Sequence, residues 1–434
     1  MLRRVWYTVA AALALAGAVG IMSAAGSPGE VRGRAAAPPS AARIRHLDID
    51  FYRARVARDP RSARDFTQLA GRYLQRARET ADNEDLVRAE QTARHSLALR
   101  RGRNDEAYGV LASSLMGQHR FEEALEAARL LLTADSTSIA ARGLVAEAEL
   151  ELGHYDEAGR QFGRLATYQD DLGVAPRLAR WAELRGHPEE ARRLLRQALG
   201  AARRRHGMPR EQVAWFHLRL GDLALRAGRL AEAERELGAG LEILPGDHRL
   251  LGTLARLHAV RHDWRRAAEV GELAVSRALE PATLGLLHDA WAALGDSAKA
   301  AQYARAMAVA VLRQPGPYHR AWSLFMLDQG REVPRVLANV ESELRTRRDV
   351  YGYDLLAWAL HQSGRDAEAR APMARALALG TRDAMLFYHA GMIARALGDT
   401  ASAHARLDTA LAINSHWHPS QPAGARAVLD SLVR

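Results

Sequence analysis

A short phrase returns along this chain at nearly constant spacing. It reads LGHYDEA at 152–158, AGRLAEA at 227–233, LGDSAKA at 294–300, SGRDAEA at 363–369 and LGDTASA at 397–403. HRFEEA at 119–124, RGHPEEA at 185–191 and HDWRRA at 262–267 are variants. The residues three before the closing Ala are Leu86, Phe121, Tyr155, Pro188, Leu230, Trp264, Ser297, Asp366 and Thr400, and Glu332 marks the weakest copy, where Arg335 stands in the place of the Ala. Successive steps are 35, 34, 33, 42, 34, 33, 35, 34 and 34 residues. A chain of 434 residues is long for one globular core, and such a period replaces that core with units that pack only on their neighbours.

Each unit reads as two amphipathic helices and a tight turn. Gly153, Gly228, Gly295, Gly364 and Gly398 fall in the turn, where a positive φ or a close approach favours glycine. Ala158, Ala233, Ala300, Ala369 and Ala403 open the second helix and let the two helices approach. Larger apolar residues, such as Leu111, Leu115, Phe162 and Leu195, fill the rest of the seam at helical spacing. Pro60, Pro245 and Pro281 mark helix ends, because proline cannot continue a helix.

With small residues in these places and aromatics at Phe121, Tyr155 and Trp264, the chain resembles the tetratricopeptide-repeat family, and an exported bacterial member of it. The resemblance implies an all-α, right-handed superhelical α-solenoid of about ten helix pairs. Those pairs span about 63–101, 105–138, 139–171, 172–206, 214–247, 248–280, 281–315, 316–349, 350–383 and 384–417. Departures are extra residues within 76–85, an insertion around 203–212, and the poor unit 316–349, where Pro334 stands at the start of the second helix. Proline is tolerated in a first turn, so a kink there is possible but not required. Ile44–Asp59 and residues 421–434 read as lone capping helices, within a solenoid domain over 44–434.

The N-terminus reads as a targeting segment. Arg3 and Arg4 precede an uncharged stretch from Val5 to Ala25, with Ser23-Ala24-Ala25 as small residues before a cleavage point. The stretch also has the length to span a bilayer. A cleaved signal over 1–25 and a retained anchor over 5–25 both stay open, and both export the rest of the chain to a periplasmic or extracellular space. Residues 26–43 read as a linker. The chain has no Cys, so disulfides, thiolate metal sites and thiol nucleophiles are excluded.

The formal charge is +10, which alone would suggest an anionic partner. Of 61 basic residues only Lys299 is not Arg, and the Arg side chains are interleaved with Asp and Glu. That pattern, with the export segment, argues against nucleic acid. Membrane contact is expected only through an uncleaved anchor. HExxH, GxSxG, phosphate-loop and dinucleotide motifs are missing, so no catalytic activity and no cofactor are expected.

In the family, the first helices line the concave groove. A carboxylate clamp of the kind used by chaperone-binding members is unsupported, since repeat positions 5 and 9 hold no Asn. Gly109, Gly143, Gly252 and Gly285 fall at position 5. They imply either room for a close backbone contact or tight helix packing. The C-terminal third concentrates aromatics and Arg, the side chains that dominate binding hot spots. Tyr351, Asp354, Trp358 and His361 share one helix face. With Arg320, Tyr388, Met392 and Arg395 they form the expected patch for a protein or peptide partner. A small-ligand or metal site in uptake or homeostasis is the alternative, with His389, His416 and His418 as candidate metal ligands.

Overall fold

The computed structural model describes residues 41–312 and 320–432. The targeting segment 1–25, the linker as far as residue 40, and Tyr318 and His319 lie outside the described residues. The chain divides into two units, Met1–Ala41 and Ala42–Arg434. The helices belong to the second, save the first residue of α1. Among the described residues there are 22 α-helices and no strand.

A lone helix, α1 (Ala41–Arg58), is followed by ten antiparallel pairs. These are α2 (Ala63–Thr80) with α3 (Asn83–Leu99), α4 (Asp105–Gly117) with α5 (Phe121–Ala134), α6 (Ile139–Glu151) with α7 (Tyr155–Leu165), and α8 (Ala175–Leu184) with α9 (Pro188–Arg204). Then come α10 (Arg210–Arg226) with α11 (Leu230–Ile243), α12 (His248–Val260) with α13 (Trp264–Val275), and α14 (Pro281–Ala293) with α15 (Ser297–Leu312). The last three are α16 (Arg320–Asp328) with α17 (Val333–Glu343), α18 (Val350–Gln362) with α19 (Asp366–Leu377), and α20 (Ala384–Ala396) with α21 (Thr400–Ile413). A final helix, α22 (Gln421–Leu432), closes the array. Each helix packs on its partner and on the next pair, which makes the fold an all-α solenoid.

The small residues explain the close approach within pairs. Ala158, Ala233, Ala369 and Ala403 are fully buried. Short side chains start many helices: Ser62, Asp247, Asp349, Asp383 and Asp399 each accept a hydrogen bond from a first-turn backbone N–H. Pro334 sits in the first turn of α17, where its missing N–H costs nothing. The position-5 glycines are packed against neighbouring side chains. A Cβ on Gly143 would lie 2.9 Å from Arg177 Nε, and one on Gly252 2.8 Å from Thr283 Oγ1. On Gly285 it would lie 3.3 Å from Phe325. Tight helix packing describes Gly143, Gly252 and Gly285, whereas a Cβ on Gly109 would meet only Leu131, at 3.9 Å.

The array also packs back on itself. The turns at 152–154, 185–187 and 227–229 meet the segments at 347–349, 380–383 and 414–416. Thr381 Oγ1 donates to the Leu184 carbonyl at 2.5 Å, 197 residues away. Asn414 Nδ2 donates to the Leu225 carbonyl at 3.1 Å, 189 residues away. Arg347 bridges Asp349, the cap of α18, and Glu151 at the end of α6, at 2.8 and 3.3 Å. Pairs three to five are thus seamed to the last three pairs, one turn to one segment.

Turn backbone shows how close this seam is. The equivalent left-handed turn residues in the first, second and sixth pairs are Ala81, His119 and His262. A positive φ alone therefore does not require glycine here. At Gly153 and Gly186 something else does. A Cβ would lie 2.3 Å from the Arg348 carbonyl oxygen in the first case and 2.3 Å from the Gly380 carbonyl oxygen in the second.

Candidate interaction site

The first helices of neighbouring pairs are joined by ion pairs. Arg177 meets Glu147 at 3.1 Å, Arg219 meets Glu183 at 3.0 Å, and Arg249 meets Glu211 at 3.0 Å. Arg180 with Glu151 and Arg256 with Asp222 continue the ladder. Burial pushes the Asp222 carboxyl up, but Arg226, Arg256 and Arg219 outweigh it and hold the group well below the usual carboxylate range. Many of the arginines are thus paired with carboxylates inside the array.

Where this ladder reaches the seam, Arg226 on α10 crosses to the last pairs. Its Nη1 donates to the Tyr351 hydroxyl at 2.9 Å and to Asp383 Oδ2 at 3.3 Å. The guanidinium also lies over the Tyr351 ring, as does that of Arg320. Asp383 caps α20 with its other oxygen, donated to by the Met385 backbone N–H at 2.9 Å. A cleft of about 540 Å³ opens beside this contact, lined by Glu183, Arg226, Arg229, Tyr351, Arg382 and Asp383 among others.

Deeper in, α16, α18 and α20 build a buried polar cluster. Asp354 is fully buried. Its Oδ2 accepts from Arg320 Nη2 at 3.1 Å, and its Oδ1 lies 2.7 Å from His389 Nδ1. The His389 ring, also fully buried, stacks on Trp358 at 4.1 Å and 14°. Trp358 is 4% exposed and also touches His361 and Tyr388. Among the described residues, four buried side-chain atoms on α16, α18 and α20 have no hydrogen-bond partner: Arg320 Nη1, Ser323 Oγ, Trp358 Nε1 and His389 Nε2. Most buried polar atoms in folded proteins are partnered, by protein groups or by ordered water.

The eight expected patch residues therefore divide. Arg320, Asp354, Trp358 and Tyr388 come together with His389. Tyr351 turns to the seam, and His361 to Asp366 at 2.5 Å. Met392 packs against the core, while Arg395 is exposed on the last turn of α20. Sequence reasoning missed Ser323, Arg226 and Asp383. Only Asp383 carried a local signal, as an Asp before a helix.

Of the candidate metal ligands, His416 is exposed. His418 Nδ1 accepts from the Ser420 backbone N–H at 3.2 Å, at the start of α22. Among the described residues no three His, Cys, Asp or Glu are grouped to hold a metal ion.

Beside the cluster, His418 Nε2 lies 3.8 Å from Asp328 Oδ2. Burial pushes the Asp328 carboxyl up to about 6, with His389 opposing and Asp289 adding to the rise. Burial, with His389 adding, holds His418 down at about 4. The two act on stability with opposite sign. Native Asp328 keeps a proton that the unfolded chain releases, so its contribution is present at low pH and lost as pH rises through about 6. Native His418 has shed a proton that the unfolded chain keeps up to about 6.5, so its contribution grows as pH rises through that window. Relative to wild type, Asp328→Asn should tilt stability upward from about pH 4 to 6.5, and His418→Gln should tilt it downward. Urea midpoints across that range check the pair, and parallel slopes in the two variants would contradict it.

The class this defines is an all-α solenoid of antiparallel helix pairs, with a buried polar cluster on the first helices of its last three pairs. No protein-family model and no curated protein matches the chain. Among solved structures it is similar to PilW, a widely conserved type IV pilus biogenesis factor, at 20% identity and a TM-score of 0.41, over 52% of this chain and 99% of that one. It is also similar to a chain of the APC/C Cut9–Hcn1 hetero-tetramer, at 12% identity and a TM-score of 0.34, over 91% and 94%.

Proposed function

We propose that the protein is an exported, non-catalytic interaction scaffold that holds a peptide or protein partner on the first helices of its last three pairs. The observation that carries this reading is the set of four buried, unpartnered polar atoms on α16, α18 and α20. Arg320 Nη1, Trp358 Nε1 and Ser323 Oγ can donate, and the carbonyl or carboxylate oxygens of a chain that parts the first helices on binding are the groups that would answer them. Export is read from Arg3, Arg4 and the uncharged stretch Val5–Ala25. Tyr351 is not counted as a partner contact, because Arg226 already engages it.

Capture from the native envelope fraction tests this. The variant is Ser323→Ala with Trp358→Phe, which removes two of the free groups and keeps the aromatic stack. A protein captured by wild type should fall about tenfold or more with the variant, as expected for the loss of two buried hydrogen bonds. The helical circular-dichroism signal should stay unchanged. Equal capture by both proteins, or none by either, would sink the reading.

A further inference from the structure

The outer face of α1 is the anomaly of this array. Solenoid ends need a polar outer face, because no further unit covers them. On α1, Ile49 is buried, while Ile44, Leu47 and Phe51 are 47%, 55% and 56% exposed. The exposed three fall at i, i+3 and i+7, so they form one stripe about 10 Å long. α1 therefore has two apolar faces, one facing the array and one bare. By helical register Arg58 stands on the bare stripe, with Arg55 and Asp48 along one edge and Arg43 along the other; Arg55 lies over the Phe51 ring at 5.7 Å and pairs with Asp65 at 2.8 Å. The whole helix carries five Arg against Asp48 and Asp50.

We propose that this face of α1 lies on an anionic lipid surface. Three observations select that occupant. An apolar stripe with an exposed Arg58 at its end suits the boundary between headgroups and acyl chains, where the apolar side chains insert and the guanidinium group remains among the phosphates. A second copy of α1 would bring the same positive charge to the contact, which disfavours it. The third is chain length. Residues 26–40 are all that separates the uncharged stretch from α1, and 15 residues reach at most about 50 Å. A chain held in a bilayer by residues 5–25 would keep α1 within that distance of the lipid. No helix among the described residues is long and apolar enough to cross a membrane. The proposed contact is peripheral, and it rests in part on the reading that residues 5–25 enter a bilayer.

The absence of Cys makes the test direct. The full chain with Ala54→Cys, an exposed position beside the stripe, carries an environment-sensitive fluorophore. A Leu130→Cys chain, labelled on the exposed face of α5, is the control. Both are reconstituted with vesicles of phosphatidylethanolamine and phosphatidylglycerol containing headgroup-proximal spin-labelled lipid. The Ala54 probe should lose most of its emission and the Leu130 probe should not. Adding Leu47→Asp and Phe51→Asp should abolish the quenching while the chain still floats with the vesicles. Vesicles of phosphatidylcholine alone should quench the Ala54 probe less. If the chain floats and the Ala54 probe is unquenched, the α1 contact is wrong and the anchor stands. If the chain does not float but the probe is quenched, the contact stands and the anchor falls. Neither floating nor quenching removes both. A signal that follows protein concentration rather than lipid would assign the stripe to a second copy and overturn the proposal.

Discussion

Replacing Asp354 with Ala is expected to destabilise the last three helix pairs by about 3–5 kcal/mol, because it strands two groups that no water can reach easily. The carboxylate is fully buried and serves Arg320 on one side and His389 on the other. Without it, Arg320 Nη2 loses its partner, beside an Nη1 with none among the described residues, and the His389 ring loses its hydrogen bond through Nδ1. Asp354→Asn keeps an acceptor for His389 but removes the charge that Arg320 needs, so an intermediate loss is expected. The damage should be regional, since solenoid stability is a sum of unit and interface contributions. Hydrogen exchange should therefore quicken in α16, α18 and α20 long before it quickens in α2 or α4. An Asp354→Ala chain within about 0.5 kcal/mol of wild type, the range of a neutral surface change, would show that the cluster is not a structural unit.

The helix pairs were legible because their causes are local. The recurring Ala and turn Gly set one helix against the next, and the structure buries those Ala. The arrangement of the site was not legible, for a reason visible in Tyr351, Asp354, Trp358 and His361. Spacing places these four on one face of α18, but it does not say what that face meets. In the array one edge turns toward α10 and the other toward α20, so Tyr351 reaches Arg226 while Asp354 and Trp358 reach His389. Which distant unit arrives there depends on the superhelical pitch. That pitch accumulates over many small rotations, and no single repeat encodes it. The same limit applied to the position-5 glycines. Their side of α6 and α12 could face open space or a neighbour, and only the packed array decides that Arg177 and Thr283 fill it. Asp383 could be read as a helix cap, but its second role, as the acceptor for Arg226, lies 157 residues away in sequence.

Gly186→Ala should cost far more than Gly364→Ala, although the two glycines occupy the same place in their turns with φ of 77° and 72°. At Gly364 nothing lies within 4 Å of the added Cβ, so only the left-handed backbone is penalised, by about 1–2 kcal/mol. At Gly186 the Cβ would sit 2.3 Å from the Gly380 carbonyl oxygen. That contact joins two backbones, so no rotamer change relieves it, and a further loss of about 1–3 kcal/mol is expected from the forced separation. The consequence should extend beyond a lower midpoint. A linear array couples only nearest neighbours, and its ends can unfold independently. The seam gives the fourth pair direct contact with the last pairs through Thr381 and Leu184, and the fifth through Asn414 and Leu225. Closure of this kind makes the middle and the C-terminal third unfold together. Opening it with Gly186→Ala, or with Gly153→Ala against Arg348, should split one denaturation transition into two and raise the radius of gyration in solution scattering. Gly364→Ala and Gly295→Ala should lower the midpoint slightly and leave the transition single. If the seam and control glycines behave alike, the contact between turns 186 and 380 does not hold the array closed. In that case the Arg226 bridge to Tyr351 and Asp383 would have to carry the closure, and Arg226→Ala, not the glycine variants, would split the transition.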